Sequence, residues 1–217
     1  MAIMTVNQLE DFGRTPLSKS FYMREFLYSE ISQVHALPNI PDDPELAIEA
    51  GKALCENVLE PIQDRLGRIS VRSGYRSVAV NAKGAENSNQ YRCAADNAAC
   101  HTWDRREREF MGATACIVVT SFVPYYERTG DWTALAWWIH KHVPAYADME
   151  FFQNLAAFNI RWFEEPAYKK SIATHVVNPH TGDKKSLVIN GVPKVEGPYE
   201  RFYAPYLESL AGPGGSR

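Results

Sequence analysis

The most specific chemical signal in this chain of 217 residues is the string Ser73-Gly74-Tyr75-Arg76-Ser77. The alternating segment from Ile69 to Arg72 predicts a short strand that leads into the string, and Gly74 allows the chain to turn there. An arginine at such a turn can hold a carboxylate through two parallel hydrogen bonds, which a lysine cannot do. The string therefore predicts an anion-binding turn anchored by Arg76. The alternative is a structural turn in which Arg76 pairs with an internal acid.

A second candidate site combines His101 and Asp104, which are three residues apart, with the more distant His175. Neutral imidazoles and carboxylates are good zinc ligands, so the three side chains form a candidate metal site. His175 is the expected third ligand because its predicted strand joins the same sheet as the segment from Ala157 to Glu164. The alternatives are a hydrogen bond between His101 and Asp104 on a helix surface, and a His175 that is satisfied in the core or at a sheet edge.

The remaining histidines, cysteines and aromatic residues favour structural roles. His140 and His142 are two positions apart on a predicted helix, so they cannot share one metal ion, and they complement the helix C-terminus instead. The four cysteines contain no CxxC pair and predict reduced thiols, with a Cys93–Cys100 bridge as the alternative. The aromatic residues between Trp132 and Phe163 predict core packing rather than a sugar-stacking surface.

Composition excludes several classes of protein. A hydrophobic fraction of 45% and a charged fraction of 23% are typical of a globular chain and exclude disorder over most of its length. A net charge of −3 argues against broad capture of nucleic acid, and no apolar stretch is long enough for a membrane span. We therefore expect neither partner. The N-terminus lacks the features of a secretory signal, which predicts a cytoplasmic protein or one released by lysis, as phage-associated proteins are.

The elements that must position these residues follow from hydrophobic periodicity and capping signals. Helices are predicted from Ser18 or Ser20 to Ser32, from Asp43-Pro44 to Gly67 with a kink at Pro61, from Ser77 to Lys83, and after Asp131. Strands are predicted at Ala113–Val119, Ala157–Glu164 and Ile172–Val177, the last forming a hairpin with Lys185–Ile189, and a long loop is predicted from Gly84 to Cys100. Since the helices come first and the strands gather later, the fold class is α+β with a largely antiparallel sheet.

The chain is predicted to form a single folded unit. Residues 1–17 are expected to be an irregular arm, residues 18–210 a single α+β domain, and residues 211–217 a disordered tail.

The front half of the chain resembles the zinc D-alanyl-D-alanine carboxypeptidases, which have the hedgehog-type peptidase fold. The resemblance covers about residues 20–82 and depends on Pro38-Asn39, Leu59-Glu-Pro-Ile-Gln-Asp-Arg65, the Ser73–Ser77 string and Asn81. It implies a small antiparallel sheet packed against N-terminal helices. It also implies that Arg76, with Ser73 and Tyr75, binds a peptidoglycan peptide or another carboxylate-bearing ligand.

The back half departs from the family pattern Ser-x-His-x-x-Gly-x-Ala-x-Asp. The best register places Asp104 on the metal-binding aspartate but Asn97 on the first histidine, and a rival register ending at Asp96 places Asn89 there. In the later motif, Trp162-Phe163 matches Trp-His, with Ile160 in place of the general base. An isoleucine cannot accept a proton from water, and a catalytic zinc needs about three protein ligands. By this alignment, Phe163 is expected to lie near Asp104.

The resemblance therefore leads to a non-catalytic or altered-site relative of the cell-wall carboxypeptidases, with no bound zinc. The first alternative is an active zinc metallopeptidase with a rearranged site at His101, Asp104 and His175. The second is a structural or assembly protein of a phage-like particle. Whether the chain is an enzyme stays open at the level of sequence.

Overall fold

The computed structural model describes residues 4–86 and 93–211. Its α-helices are α1 (Val6–Gly13), α2 (Glu30–His35), α3 (Pro44–Leu54), α4 (Glu60–Leu66), α5 (Val78–Glu86), α6 (Val123–Thr129), α7 (Thr133–His142) and α8 (Glu200–Ala211). A π-helical segment, Cys55–Leu59, joins α3 to α4, and short 3-10 turns occur at Met23–Phe26, Thr120–Phe122 and Asn154–Ala156. None of these helices has both the length and the apolar character needed to cross a membrane.

One mixed sheet accounts for the described strands. They are β1 (Ile69–Ser73), β2 (Gly112–Val119), β3 (Tyr146–Phe151), β4 (Phe158–Phe163), β5 (Ser171–Thr174), β6 (Val188–Ile189) and β7 (Val192–Pro193). Their spatial order is β1-β2-β4-β3-β5-β6-β7. Neighbouring strands are antiparallel except for β3 and β5, which are parallel. The predicted α+β class is confirmed, and the sheet departs from a purely antiparallel one at that single pair.

The predicted long helix is present and has the expected ends. Asp43 accepts a hydrogen bond from Leu46 N at 3.0 Å, and Pro44 occupies the first turn, where its missing N–H costs nothing. The π-helical segment ends two residues before Pro61, the residue at which a kink is predicted. Gly67 ends the helix with φ of +86°, a conformation that favours glycine.

The sheet has two different faces. Along β2, Ala113, Ala115 and Ile117 join the main hydrophobic core, while Thr114 and Cys116 alternate onto the other face. The core also contains most of the predicted aromatic cluster, including Trp132, Trp137, Trp138, Phe151 and Phe158. Packing against the helices therefore occupies one face, and the polar side chains collect on the opposite face.

Two predictions for the N-terminal region are wrong. The arm predicted at 1–17 contains α1, whose first turn is closed by reciprocal hydrogen bonds between Thr5 and Gln8. The helix predicted from Ser18 or Ser20 does not begin there because both serines bind a distant carboxylate. Ser18 Oγ and Ser20 N donate to Glu60 Oε1 at 2.7 and 2.8 Å. The helix that does form, α2, begins after Ser29.

Other predictions meet the structure in part. The α5 helix occupies the start of the loop predicted from Gly84 to Cys100, and residues 87–92 of that loop lie outside the described residues. The predicted tail lies outside them as well, except for Ala211, which ends α8. The periodicity analysis missed β3 and α8. No disulfide joins the four cysteines.

Candidate functional site

The Ser73–Ser77 turn is held rigidly inside the protein. Tyr75 is 1% exposed, and its hydroxyl donates to Asp104 Oδ1 at 3.1 Å. Gly74 lies so close to Phe26 that a Cβ there would be 2.8 Å from the phenylalanine Cβ. The Tyr75 side chain is therefore buried and its hydroxyl engaged, so this arrangement gives no support to the predicted contact of Tyr75 with substrate, which stays a prediction.

Asp104 stabilises the start of α3. Its Oδ2 accepts hydrogen bonds from Asp42 N at 2.7 Å and from Asp43 N at 3.4 Å, and Arg105 Nη1 lies 3.3 Å away. With Tyr75 on Oδ1, both oxygens of this buried carboxylate have protein donors. Asp104 therefore has a structural role that engages both carboxylate oxygens, the atoms that would ligate a metal ion.

His101 is a buried neutral imidazole. Its Nδ1 lies 2.8 Å from the Gly74 carbonyl oxygen, and since a carbonyl can only accept, Nδ1 carries the proton. Burial, together with the positive charge of Arg76, lowers the pKa of His101 to about 3. The His101 carbonyl also accepts from Arg76 N at 2.8 Å. The imidazole ring and the backbone carbonyl of His101 thus both hold the turn that carries Arg76.

His175 lies elsewhere, at the end of β5. Its Nε2 donates to Glu150 Oε1 at 2.9 Å, and its ring stacks on Phe152 with 5.5 Å between centroids. His101, Asp104 and His175 therefore have separate partners, and the predicted metal trio is not assembled. In residues 4–86 and 93–211, no group of three or more His, Cys, Asp or Glu side chains is arranged to hold a metal ion.

The expected proximity of Phe163 to Asp104 is not seen in their contacts. Phe163 packs in a small cluster with Ala99 and Ala147, separate from the main core, while Asp104 binds groups at the start of α3. The alignment of the back half with the family's Trp-His segment receives no support from this arrangement.

Arg76 is half-buried beside the cysteines. Its Nη1 lies 3.4 Å from Cys93 Sγ, and its charge acts to lower the pKa values of Cys100 and Cys116. It forms no ion pair with any described residue, so the internal acid of the alternative interpretation is not found there. The prediction that Arg76 holds an anion stays a prediction.

Polar side chains form two rows across the sheet face opposite the helices. The strand register places Ser73, Cys116, Asn159 and Glu150 in the first row. It places Thr114, Arg161, Asp148 and Ser171 in the second row. Because side chains alternate along each strand, both rows point to the same side.

The second row is satisfied within the protein. Arg161 donates to the Ala99 carbonyl at 3.0 Å and to Glu107 at 2.8 Å, and it lies over the Phe163 ring. Asp148 accepts hydrogen bonds from Tyr168 and from Ser171 of the same row. These bonds fasten two loops onto the sheet and leave little capacity for a ligand.

The first row borders a groove with a volume of about 670 Å³. Its lining comprises Arg72, Cys116, Phe152, Gln153, Asn154, Ala157, Thr174, His175 and Lys184. A β-bulge aims Arg72 into the groove: Val71 pairs with Ile117 and Ser73 with Cys116, so Arg72 is the extra residue. Neither Arg72 nor Lys184 forms an ion pair or side-chain hydrogen bond with a described residue. The groove therefore presents two exposed cations beside the side-chain amides of Gln153 and Asn154.

The thiols near the groove are poor nucleophiles. Burial raises the pKa of Cys116 to about 11 and also raises the pKa of Cys100, against the opposing influence of nearby arginines. Since the thiolate is the reactive form, both thiols stay protonated at neutral pH. The chemistry that the groove supports best is the binding of an anionic group.

Sequence reasoning did not identify Arg72, Gln153, Asn154 or Lys184 as site residues. A signal exists for Arg72, because its position in an alternating strand places it on the polar face. No local pattern marks the other three, which reach the groove from loops far away in the chain.

Comparison with known proteins gives no match among protein-family models, curated proteins or solved structures.

Proposed function

We propose that this protein binds carboxylate-bearing peptides, with peptidoglycan stem peptides as the leading class. In this proposal it is a non-catalytic relative of the zinc D-alanyl-D-alanine carboxypeptidases and has their hedgehog-type fold. The observation that carries the proposal is that Arg72 and Lys184, which form no ion pair with a described residue, line one groove with two amide side chains. Arg72 offers the planar donor pair that suits a carboxylate, and Lys184 adds a second positive charge.

The non-catalytic assignment is supported by what replaces the family's chemical groups. Asn97, in the position of the first histidine, donates its side-chain amide to Asn81 Oδ1. Ile160, in the position of the general base, is buried in the main core, and Phe163 packs in an apolar cluster. The rival position, Asn89, lies outside the described residues. Each described replacement has a structural contact and none can ligate zinc or move a proton.

Binding can be tested with a synthetic stem pentapeptide, L-Ala-γ-D-Glu-L-Lys-D-Ala-D-Ala, by isothermal titration calorimetry. Hydrogen bonds to charged groups contribute about 1.5–3 kcal/mol, so Arg72→Gln and Lys184→Gln should each weaken binding about tenfold or more. The peptide with a C-terminal amide should bind more weakly than the free acid. Binding should also weaken with added salt, because the groove is open to solvent.

Matched controls are Arg68→Gln and Lys52→Gln, which remove exposed cations outside the groove. Both should leave the affinity unchanged. Equal affinity of the wild-type protein and the two groove variants would contradict the proposal. Release of D-alanine from the same peptide in the presence of added zinc would favour the metallopeptidase alternative.

A further inference from the structure

We infer that the bound peptide is extended and pairs its backbone with Val71 at the β1 edge of the sheet. This inference rests on the proposed function. It adds that the ligand is recognised as a peptide chain and not only as a carboxylate. The edge concerned belongs to β1, the first strand in the spatial order, which has β2 as its single strand neighbour among the described residues.

The register of β1 and β2 decides which backbone groups face outward. Thr120 N donates to the Arg68 carbonyl at 3.0 Å, so Arg68 directs its groups toward β2. In an antiparallel pair this direction alternates, so Ser70 also bonds to β2 while Ile69 and Val71 face away. Ile69 confirms the alternation, because its N–H donates to Gln63 Oε1 at 3.1 Å and not to β2.

The outward groups of Val71 form a gap in the backbone hydrogen bonding of this edge. On one side Gln63 takes the Ile69 N–H, and on the other side the Phe26 carbonyl takes the Tyr75 N–H at 2.9 Å. No described residue forms a hydrogen bond with Val71 on this side. One extended residue of a ligand supplies both an N–H and a C=O. These are the hydrogen-bond partners that the outward C=O and N–H of Val71 need.

A cavity of about 530 Å³ is bordered by Ser70 and Arg72, the two neighbours of Val71 in β1. It is lined by Glu30, Ser70, Arg72, Val118, Thr120, Val123 and Leu155. Arg72 lines this cavity and the main groove alike. A peptide that pairs with Val71 and holds its carboxylate at Arg72 therefore lies next to this cavity, where Val118, Val123 and Leu155 offer apolar contacts.

The features of this edge favour a peptide over a second copy of the chain. The bulge at Arg72 interrupts regular pairing directly after Val71, and the exposed guanidinium of Arg72 has no ionic partner in the part of the chain that the structure describes. Both features oppose long edge-to-edge pairing between identical strands. A short peptide needs only the two groups of Val71, and its carboxylate complements Arg72.

The inference can be tested by amide hydrogen exchange measured by NMR, with and without saturating stem pentapeptide. The Val71 amide should exchange at least tenfold more slowly in the complex. The Ser70 amide, which bonds to β2, should be unchanged and serves as the internal control. Pentapeptides N-methylated at one amide each should show one position at which methylation weakens binding tenfold or more.

The outcomes separate this inference from the proposed function. Binding that depends on Arg72 but leaves Val71 exchange unchanged and tolerates every N-methyl group would overturn the edge pairing and leave the proposed function standing. Failure of the pentapeptide to bind at all would overturn the proposed function, and the inference with it. Val71 protection that rises with protein concentration alone, together with dimers in sedimentation, would identify a second copy as the occupant and would overturn the inference.

Discussion

The Ser73–Ser77 turn and the groove at Arg72 adjoin the same end of β1, yet they use their polar groups in opposite ways. In the turn, the hydroxyl of Tyr75 and the carboxylate of Asp104 are buried and bonded to each other. In the groove, Arg72 and Lys184 are exposed and have no ionic partner among the described residues. The Ser73–Ser77 motif therefore has a structural role, and the side chains that are available to bind a ligand lie next to it in the groove.

This difference also separates stability from binding. Buried polar groups with complete hydrogen bonding are costly to disturb, while exposed unpaired charges contribute little to folding. Substitutions of the buried groups at the turn should therefore destabilise the protein, and substitutions in the groove should change only its affinity for ligand.

The largest expected effect is that of Asp104→Ala. The substitution leaves the Tyr75 hydroxyl and the N–H groups of Asp42 and Asp43 without their acceptor. We expect a loss of about 3–5 kcal/mol in the free energy of unfolding, measured by urea denaturation. Asp64→Ala, which removes an exposed carboxylate paired with Lys19, should cost less than about 1 kcal/mol. Equal costs for the two would show that Asp104 is not a structural centre.

The next effect concerns pH and His101. The folded pKa of about 3 lies well below the value of about 6.5 expected in the unfolded chain, so the unfolded state binds the proton first. Stability should therefore be complete above pH 7 and fall as the pH drops below 6.5, by about 2 kcal/mol at pH 5 from this group.

His101→Asn tests this assignment, because an asparagine amide can still donate to the Gly74 carbonyl but does not titrate. Its free energy of unfolding should lose this part of the pH dependence between pH 7 and pH 5. An unchanged pH profile in the variant would assign the acid sensitivity to other groups.

A smaller effect is expected in the reactivity of Cys116. A thiol whose pKa is about 11 has far less thiolate at pH 8 than an ordinary thiol, although each thiolate is more nucleophilic. Alkylation by iodoacetamide should be about 10–20-fold slower than in the urea-unfolded protein. Peptide mass spectrometry at successive times gives the rate. Rapid labelling of the folded protein would show an activated thiol and reopen the question of catalysis.

The smallest effect is the change in stability caused by Arg72→Gln. Because Arg72 is exposed and has no ionic partner among residues 4–86 and 93–211, the free energy of unfolding should change by less than about 0.5 kcal/mol in urea denaturation. The same variant should lose most of its affinity for the stem pentapeptide. A destabilisation comparable to that of Asp104→Ala would remove the distinction between the turn and the groove.

Local signals in the sequence determined a large part of the fold. Asp43 and Pro44 start α3, and Gly67 ends α4. These features depend on neighbours within a few residues, so pattern and capping rules recover them. The α+β class follows from their order along the chain.

Only the tertiary structure decided which polar groups are free. Ser18 and Ser20 look like helix caps in the sequence, but Glu60 binds both from 40 or more residues away. Asp104 matches a metal-ligand position, but the start of α3 takes its oxygens. Lys184 reaches the groove of Arg72 through the folding of a distant loop. Whether a charge is engaged or available depends on partners that are close in space and remote in sequence, and local periodicity carries no information about them.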